Sequence, residues 1–353
     1  MLKAKIIGAC GYGGVGMVEL LLRHPHAQIV SLIDIENVGE PVSTIYPHLR
    51  GFCDMTIIAS SDEDPADGRA NAVFIATPDG VGMSLAPGYV ANQVAVVDYS
   101  GDFRFSQKDI YKRYAQRIKK EGAHKSPELL PFSVYGLAEL HREEIKKAKV
   151  VGNPGCFAVA SILGVAPAVK AGIINTECII FDAKTGVSGA GKKPSSTFHY
   201  PARYEAMNAY KIGQHQHEIE IEHELGKLAK REVAISLTTQ VVPLSRGIMV
   251  CCYAELDEGW IEVNKIHHIY TDFYKNERFI DVLSIGNPGN SIGVRGSNCC
   301  HLSVNVNTKT GRLICISYID NLLKGQAGSA LQNMNLLLGI EEISGLLYPG
   351  MVP

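Results

Sequence analysis

The residue from which chemistry is most directly read is Cys156. It follows Asn153-Pro154-Gly155 and opens an apolar segment, residues 157–171, with helical potential. A thiol at a helix N-terminus sees the positive end of the helix dipole, which favours the thiolate, and the thiolate is the nucleophile. The turn before it, rigid at Pro154 and open at Gly155, presents the sulfur to a cleft. The plainer alternative is a buried structural thiol. A nucleophile of this kind needs an acid/base, and Gly213-Gln-His215-Gln-His217 offers two histidines. On one helix, residues two apart point to different sides, so at most one of the pair would face Cys156. His-x-His also occurs in metal sites, but no third ligand cluster accompanies it, and no metal is expected. The charged run 218–224 reads as a solvated helix face. An anionic substrate needs cations. Ser188-Gly189-Ala-Gly191-Lys192-Lys193 is a glycine loop with two lysines, and Arg104 and Arg246 lie beside further glycine and proline turns.

A second constellation lies at the N-terminus. Gly8, Gly11, Gly13 and Gly14 fall between an apolar strand at 3–9 and a helical pattern at 15–23. Glycine there lets the backbone approach a pyrophosphate seated on the helix N-terminus. A second strand, 28–33, ends at Asp34, twenty residues past Gly14. An acid at that place accepts hydrogen bonds from the ribose hydroxyls of NAD and opposes the 2′-phosphate of NADP. Cys156 and a nicotinamide together suit aldehyde-level chemistry: sulfur attacks a carbonyl, and hydride moves between a thioester and the nicotinamide.

The elements that must position these groups fall into two textures. Strands at 3–9, 28–33, 55–58, 72–76 and 94–97 alternate with helical patterns, which predicts a doubly wound parallel sheet over residues 1–151. Strands near 179–185, 234–242, 247–255, 298–306 and 313–319 predict a mixed, largely antiparallel α+β domain over 152–320. A helical segment runs over 321–339. The chain of 353 residues is long enough for two domains with ample cores. A net charge of −2 gives no general attraction to nucleic acid or anionic lipid. Nine cysteines, an odd number without Cys-x-x-Cys spacing, exclude a complete disulfide framework. With no apolar leader and no span-length apolar run, a reducing cytoplasm with free thiols is expected, and no membrane partner.

Longer motifs bring these features under one family. The sequence resembles the N-acetyl-gamma-glutamyl-phosphate reductases, within the aspartate-semialdehyde dehydrogenase group. The motifs are GACGYGG at 8–14, YPHLRG at 46–51, DYSGDFR at 98–104, YGLAEL at 135–140 and GNPGC at 152–156. They continue with GVSGAGKK at 186–193, GQHQH at 213–217, VPLSRGI at 242–248, GSNCC at 296–300 and DNLLKGQAGSALQNMN at 320–335. The resemblance implies an α/β fold: a Rossmann-type dinucleotide-binding domain, completed by the C-terminal segment 321–353, plus an α+β catalytic and dimerisation domain. It implies NADPH-dependent reduction of an acyl phosphate to the semialdehyde in arginine biosynthesis. Cys156 matches the nucleophile, and the acid/base maps to His215 or His217, with His217 favoured. Cofactor contacts are expected from Gly8, Gly11, Tyr12, Gly13, Gly14, Asp34, Ser188, Gly189 and Asn321. Phosphate or substrate contacts are expected from Arg104, Lys192 and Arg246. The family suggests a homodimer or homotetramer.

Several positions depart from the family pattern. Asp79 stands where a histidine is usual, Ala138 and Ile219 replace prolines, and Phe157-Ala158-Val159 replaces an aromatic-Pro-Thr. Asp34-Ile35 replaces a Ser-Arg pair, and that Arg would suit a 2′-phosphate. NADP is therefore the family expectation, and Asp34 argues for NAD beside it or instead of it. Two other functions compete: the same chemistry on a carrier-protein-bound aminoadipyl phosphate in lysine biosynthesis, and a binding protein without turnover. Retention of Cys156, both histidines and the lysine loop argues against the last.

Overall fold

A computed structural model describes residues 1–120, 123–257 and 262–352. The chain divides into two compact units, Met1–Pro154 with Gln326–Leu347, and Gly155–Gly325 with Tyr348–Pro353.

The first unit is built on seven strands: β1 (Leu2–Ile7), β2 (Ala27–Asp34), β3 (Ile57–Ala59), β4 (Ala72–Ile75), β5 (Ala95–Asp98), β6 (Ser133–Tyr135) and β7 (Val150–Gly152). They are ordered β3-β2-β1-β4-β5-β7-β6, and every pairing is parallel. Strands covered on both faces read as continuous apolar runs, and β4 (AVFI) is buried at all four positions. The helices α1 (Tyr12–Arg23), α2 (Val42–Ile45), α3 (Gly82–Ala91), α4 (Lys108–Arg117) and α5 (Ala138–Ile145) belong to this unit, as does the later helix Gly328–Leu337. The strand order reverses between β1 and β4, and ligands of open α/β sheets bind at the carboxyl ends of strands beside such a reversal. The buried Lys5 in β1 is an exception within an apolar strand. Its ammonium is held by the carboxylates of Glu63 and Asp67 and by the carbonyl of Asp64. A buried charge survives only with such partners.

The second unit is a seven-stranded mixed sheet: β8 (Ile179–Thr185), β9 (Asn208–Tyr210), β10 (Ile235–Val241), β11 (Ile248–Glu255), β12 (Ile280–Val282), β13 (Cys300–Asn307) and β14 (Arg312–Ile319). The order is β12-β13-β14-β11-β8-β10-β9, with β8–β10 and β12–β13 parallel and the rest antiparallel. Its central helix is α6 (Cys156–Ala171), with α7 (Tyr200–Arg203), α8 (His217–Ala229) and α9 (Val263–Phe273) also in this unit. Helix α6 is apolar all round and buried from Phe157 to Val169, as a core helix must be. Pro167 inside it has no N–H to offer the preceding turn. The hydroxyls of Tyr274 and Tyr270 donate instead to the carbonyls of Leu163 (2.7 Å) and Gly164 (2.9 Å). Gly172, left-handed at φ 66°, ends the helix.

Two local expectations need correction. The segment 321–339 is not one α-helix: a single π-helical turn, Leu323–Ala327, precedes α10 (Gly328–Leu337). The charged run 218–224 is not a solvated face. Glu218, Glu220 and Glu224 are all buried, because α8 packs against α6; Glu220 accepts the Gly155 N–H there, and Glu224 pairs with Lys227 of its own helix. All nine cysteines are free thiols, as the sequence leads one to expect, with Cys178 exposed and Cys299 half-buried. Among the described residues, no helix is long and apolar enough to cross a membrane.

Candidate active site

In the second unit, Cys156 is the first residue of α6, preceded by Gly155 in an extended N-cap conformation. The N–H of Gly155 donates to Oε2 of Glu220 at 3.0 Å, and Glu220 is fully buried. On the same carboxylate, Oε1 lies 3.8 Å from Nε2 of His217, one helical turn away. The lack of a side chain at Gly155 is what admits the histidine. A Cβ built there would lie 2.2 Å from Nε2 of His217. Helix α8 begins at His217, so His215 belongs to the turn before the helix and the pair is not spread over one helix. Nδ1 of His215 accepts the N–H of His217 at 3.2 Å, and the two rings meet edge to face at 4.5 Å. Phe157 contacts both rings. His217 thus faces the residue before Cys156, while His215 backs it. The Tyr210 phenol is also near. Burial first, and a charge on Cys156 second, push its pKa upward.

The Asn153 side of the turn is fixed within the first unit. The Asn153 N–H donates to the Asp98 carbonyl (2.7 Å), and its amide donates to the Gln326 carbonyl (3.0 Å). Arg104 is buried there, with its guanidinium given to the carbonyls of Tyr99 (2.7 Å) and Asn153 (2.8 Å).

The glycine loop and the Arg246 turn of the second unit come together. Gly186, Val187 and Ser188 donate to the carbonyls of Gly247, Leu244 and Ser245. A Cβ on Gly186 would collide with this second loop at 2.8 Å. Asn321 joins them, its Oδ1 accepting the Gly247 N–H (2.7 Å) and its Nδ2 donating to the Ser188 hydroxyl (2.9 Å). Arg246, partly exposed, donates to buried Asp320 at 2.9 Å. Gly325 returns the chain to Cys156. Its N–H donates to the Asp320 carbonyl at 2.9 Å, and a Cβ on it would lie 2.8 Å from Cβ of Cys156. Ser188, Gly189, Arg246 and Asn321 thus share one corner of the unit, and Lys192 follows on the same loop, half-buried. Sequence reasoning missed Glu220, Tyr210, Gly325 and Lys324, the last fully buried over the Phe279 ring at 5.7 Å. The family motifs contain Gly325 and Lys324, but no local pattern singles out Glu220 or Tyr210.

The dinucleotide fit is tested at the first glycine turn. Gly8 sits at φ +82°, and its Cβ would meet the Ala76 carbonyl at 2.3 Å. A Cβ on Gly14 would meet the Gly8 carbonyl at 2.2 Å. A Cβ on Gly13 would press on Gln326 and Tyr99 at 3.0–3.3 Å, and Tyr12 begins α1. Gly11 is the N-cap of α1, and a Cβ there meets only the Gly8 carbonyl at 3.5 Å. The turn is therefore tight within, open at Gly11 and set at a helix N-terminus, which fits a pyrophosphate. Asp34 takes N–H bonds from Cys10 (2.8 Å), Ile35 (2.7 Å) and Glu36 (3.1 Å), which fixes its carboxylate at the end of β2 beside this turn.

Two loops follow β4 and β5. Asp79 accepts the Gly101 N–H (2.7 Å) and the Tyr114 hydroxyl (3.0 Å), while Asp102 accepts the N–H groups of Gly80 and Met83. Asp98 is fully buried between them. Burial, then the nearby Asp102, push its carboxyl up to about 8.

Comparison with known proteins agrees with this geometry. The family model described as semialdehyde dehydrogenase, NAD binding domain, matches residues 3–148, and the semialdehyde dehydrogenase dimerisation domain matches 156–321. A protein from Bacillus cytotoxicus named N-acetyl-gamma-glutamyl-phosphate reductase is 41% identical over 352 residues, covering 100% of both chains. One of the same name from Bacillus anthracis is 40% identical over 98% of this chain and 99% of its own. Among solved structures, aspartate semialdehyde dehydrogenase II of Vibrio cholerae has the same fold. It has TM-score 0.70 and 17% identity, and the match covers 96% of this chain and 98% of that one. The enzyme from Candida albicans solved with NADP gives TM-score 0.65 at 15% identity, over 96% and 98%. The Gly155–Cys156 turn, the glycine turn at 8–14 and full-length identity near 40% lead to one conclusion: this chain belongs to the N-acetyl-gamma-glutamyl-phosphate reductase family of semialdehyde dehydrogenases.

Proposed function

We propose that this chain reduces N-acetyl-gamma-glutamyl phosphate to the semialdehyde with a reduced nicotinamide dinucleotide, as a step of arginine biosynthesis in the cytoplasm. The observation that carries the reading is the Gly155–Cys156 turn, with His217 against Gly155 and Glu220 bonded to its N–H. His217 takes the thiol proton. The Cys156 sulfur attacks the acyl carbon, the carbon–oxygen bond to phosphate breaks, and a thioester remains on sulfur. The α6 N–H groups face the oxygen that gains charge. The nicotinamide, when bound, supplies the hydride. His217 returns its proton as the aldehyde leaves sulfur. Glu220 and His215 hold the His217 ring, Glu220 favouring its charged form. Arg246 and Lys192 are the cations for the phosphate, and Ser188, Gly189 and Asn321 shape the loop beside them. Arg104 acts as a positioning residue that fixes the backbone before Cys156, because its donors are given to carbonyls.

The test is Cys156→Ser. Semialdehyde-dependent dinucleotide reduction, run in reverse with phosphate, should vanish while dinucleotide binding persists. Near-native turnover in that variant would remove the covalent scheme. Running the assay with the aminoadipyl analogue checks the substrate.

For the cofactor, the supported reading is NAD used at least as well as NADP. Asp34 places a negative charge at the end of β2, and the adjacent side chain is the exposed, apolar Ile35, not a cation. A 2′-phosphate there meets repulsion and finds no partner from that pair. Replacing Asp34→Ser with Ile35→Arg should shift the kcat/KM ratio toward NADPH by roughly ten- to hundredfold, the worth of one charged hydrogen bond. A wild type that already prefers NADPH strongly would end this reading. The supported assembly is a homodimer formed through the second unit.

A further inference from the structure

We propose that the cavity over α4 in the first unit is a binding site for a small multivalent anion, separate from the glycine turn. The cavity measures about 840 Å³ and is lined by Lys108, Lys112, Lys119 and Lys120 against a single acid, Asp109, with Tyr111 and His124 in its wall. Small-molecule sites typically span about 300–1,000 Å³. The chain's net charge is −2, yet residues 108–125 carry seven lysines and arginines against two acids. Among the described residues, Lys108, Lys112 and Lys119 have neither an ion pair nor a hydrogen bond from the side chain.

This placement does nothing for the helix. Lys108 and Lys112 are one turn apart, a like-charge spacing that costs stability. Lys108 also stands in the first turn of α4, where the helix dipole disfavours a cation. Four ammonium groups around one concavity focus a positive field that an anion relieves. Beneath them, the Tyr111 and His124 rings pack edge to face at 4.7 Å, both buried. That wall is rigid and largely apolar, so the ligand class is a compact organic body carrying at least two phosphate or carboxylate charges. The cavity also touches the loops of the dinucleotide half. Lys120 donates to the Asp79 carbonyl, and Nε2 of His124 lies 2.9 Å from the Asp102 carbonyl.

The test is calorimetric titration of the full chain saturated with NADH, so that the glycine turn is filled. Pyrophosphate and citrate are the two probes. At least one should bind the wild type, with affinity at least roughly tenfold weaker in Lys108→Gln/Lys112→Gln/Lys119→Gln, as expected for lost charge-assisted bonds. Binding of pyrophosphate alone identifies a phosphate ligand, and binding of citrate alone a polycarboxylate. A control triple, Lys146→Gln/Lys265→Gln/Lys275→Gln, removes the same charge from exposed ion pairs elsewhere and should bind as the wild type does. The proposal is overturned if neither anion binds, if the cavity triple binds unchanged, or if the control triple weakens equally.

Discussion

Gly155 decides where the His217 ring can sit. The imidazole of His217 occupies the space a Cβ would take, so Gly155→Ala must displace the ring from the nucleophile's turn. The expected outcome is a loss of kcat comparable to that of His217→Asn, about two to four decades if His217 is the acid/base. Cofactor affinity should stay native, because the substitution lies outside the glycine cradle. His215→Asn should cost less than His217→Asn, since His215 accepts the N–H of His217 and braces its ring rather than facing Gly155. The reverse order of damage would exchange their roles. Glu220→Gln keeps the acceptor for the Gly155 N–H but removes the charge facing His217. Glu220→Gln should therefore lower kcat while dinucleotide affinity stays native, because only the charge facing the His217 ring is lost. An unchanged kcat would leave Glu220 a purely structural role.

At the scale of elements, the loops after β4 and β5 hold each other by reciprocal carboxylates, Asp79 on Gly101 and Asp102 on Gly80. Asp98 is trapped beside them without enough partners to stay ionised. Its carboxyl stands at about 8 in the folded chain against an ordinary value of 3.8. Between those values the folded state keeps a proton that the unfolded chain has released. Stability from this group is therefore full below about pH 4 and is lost as pH rises toward 8. Urea midpoints should fall more between pH 6 and 8.5 in the wild type than in Asp98→Asn, and parallel profiles would contradict the assignment. Such features explain what the sequence does and does not disclose. The glycine turn, Asp34 and the helix opening at Cys156 are legible because local spacing defines each of them. Burial of Glu218, Glu220 and Glu224 is not, because it depends on α6 arriving from sixty residues earlier in the chain. The same holds for Lys5, whose carboxylates lie near residue 63, and for Tyr270 and Tyr274, which serve carbonyls over a hundred residues away. Of the five three-residue strands, β3 is legible at 55–58, while β6, β7, β9 and β12 are too short to carry a period of their own.

At the scale of the whole molecule, the second unit leaves a concentration of apolar surface between residues 200 and 212. Tyr200, Tyr204, Met207 and Ile212 are each well over half exposed, and the two tyrosine rings stack at 5.3 Å. The segment contains β9, which stands at one edge of the mixed sheet. Exposed apolar side chains beside an open strand edge favour pairing with another chain, and a second copy of the same surface satisfies a twofold interface by symmetry. This is the unit matched by the dimerisation domain of the family. A charge placed there appears twice across the axis and is desolvated on both sides. Met207→Glu should therefore convert the dimer to monomer in sedimentation at micromolar concentration. It should also remove the dependence of Tm on protein concentration that a dimer shows by mass action. Cys156 and His217 lie in other elements of the unit, so the isolated monomer should still bind dinucleotide through the first unit. A dimer that survives Met207→Glu and Tyr204→Glu together would place the interface on another face of the sheet.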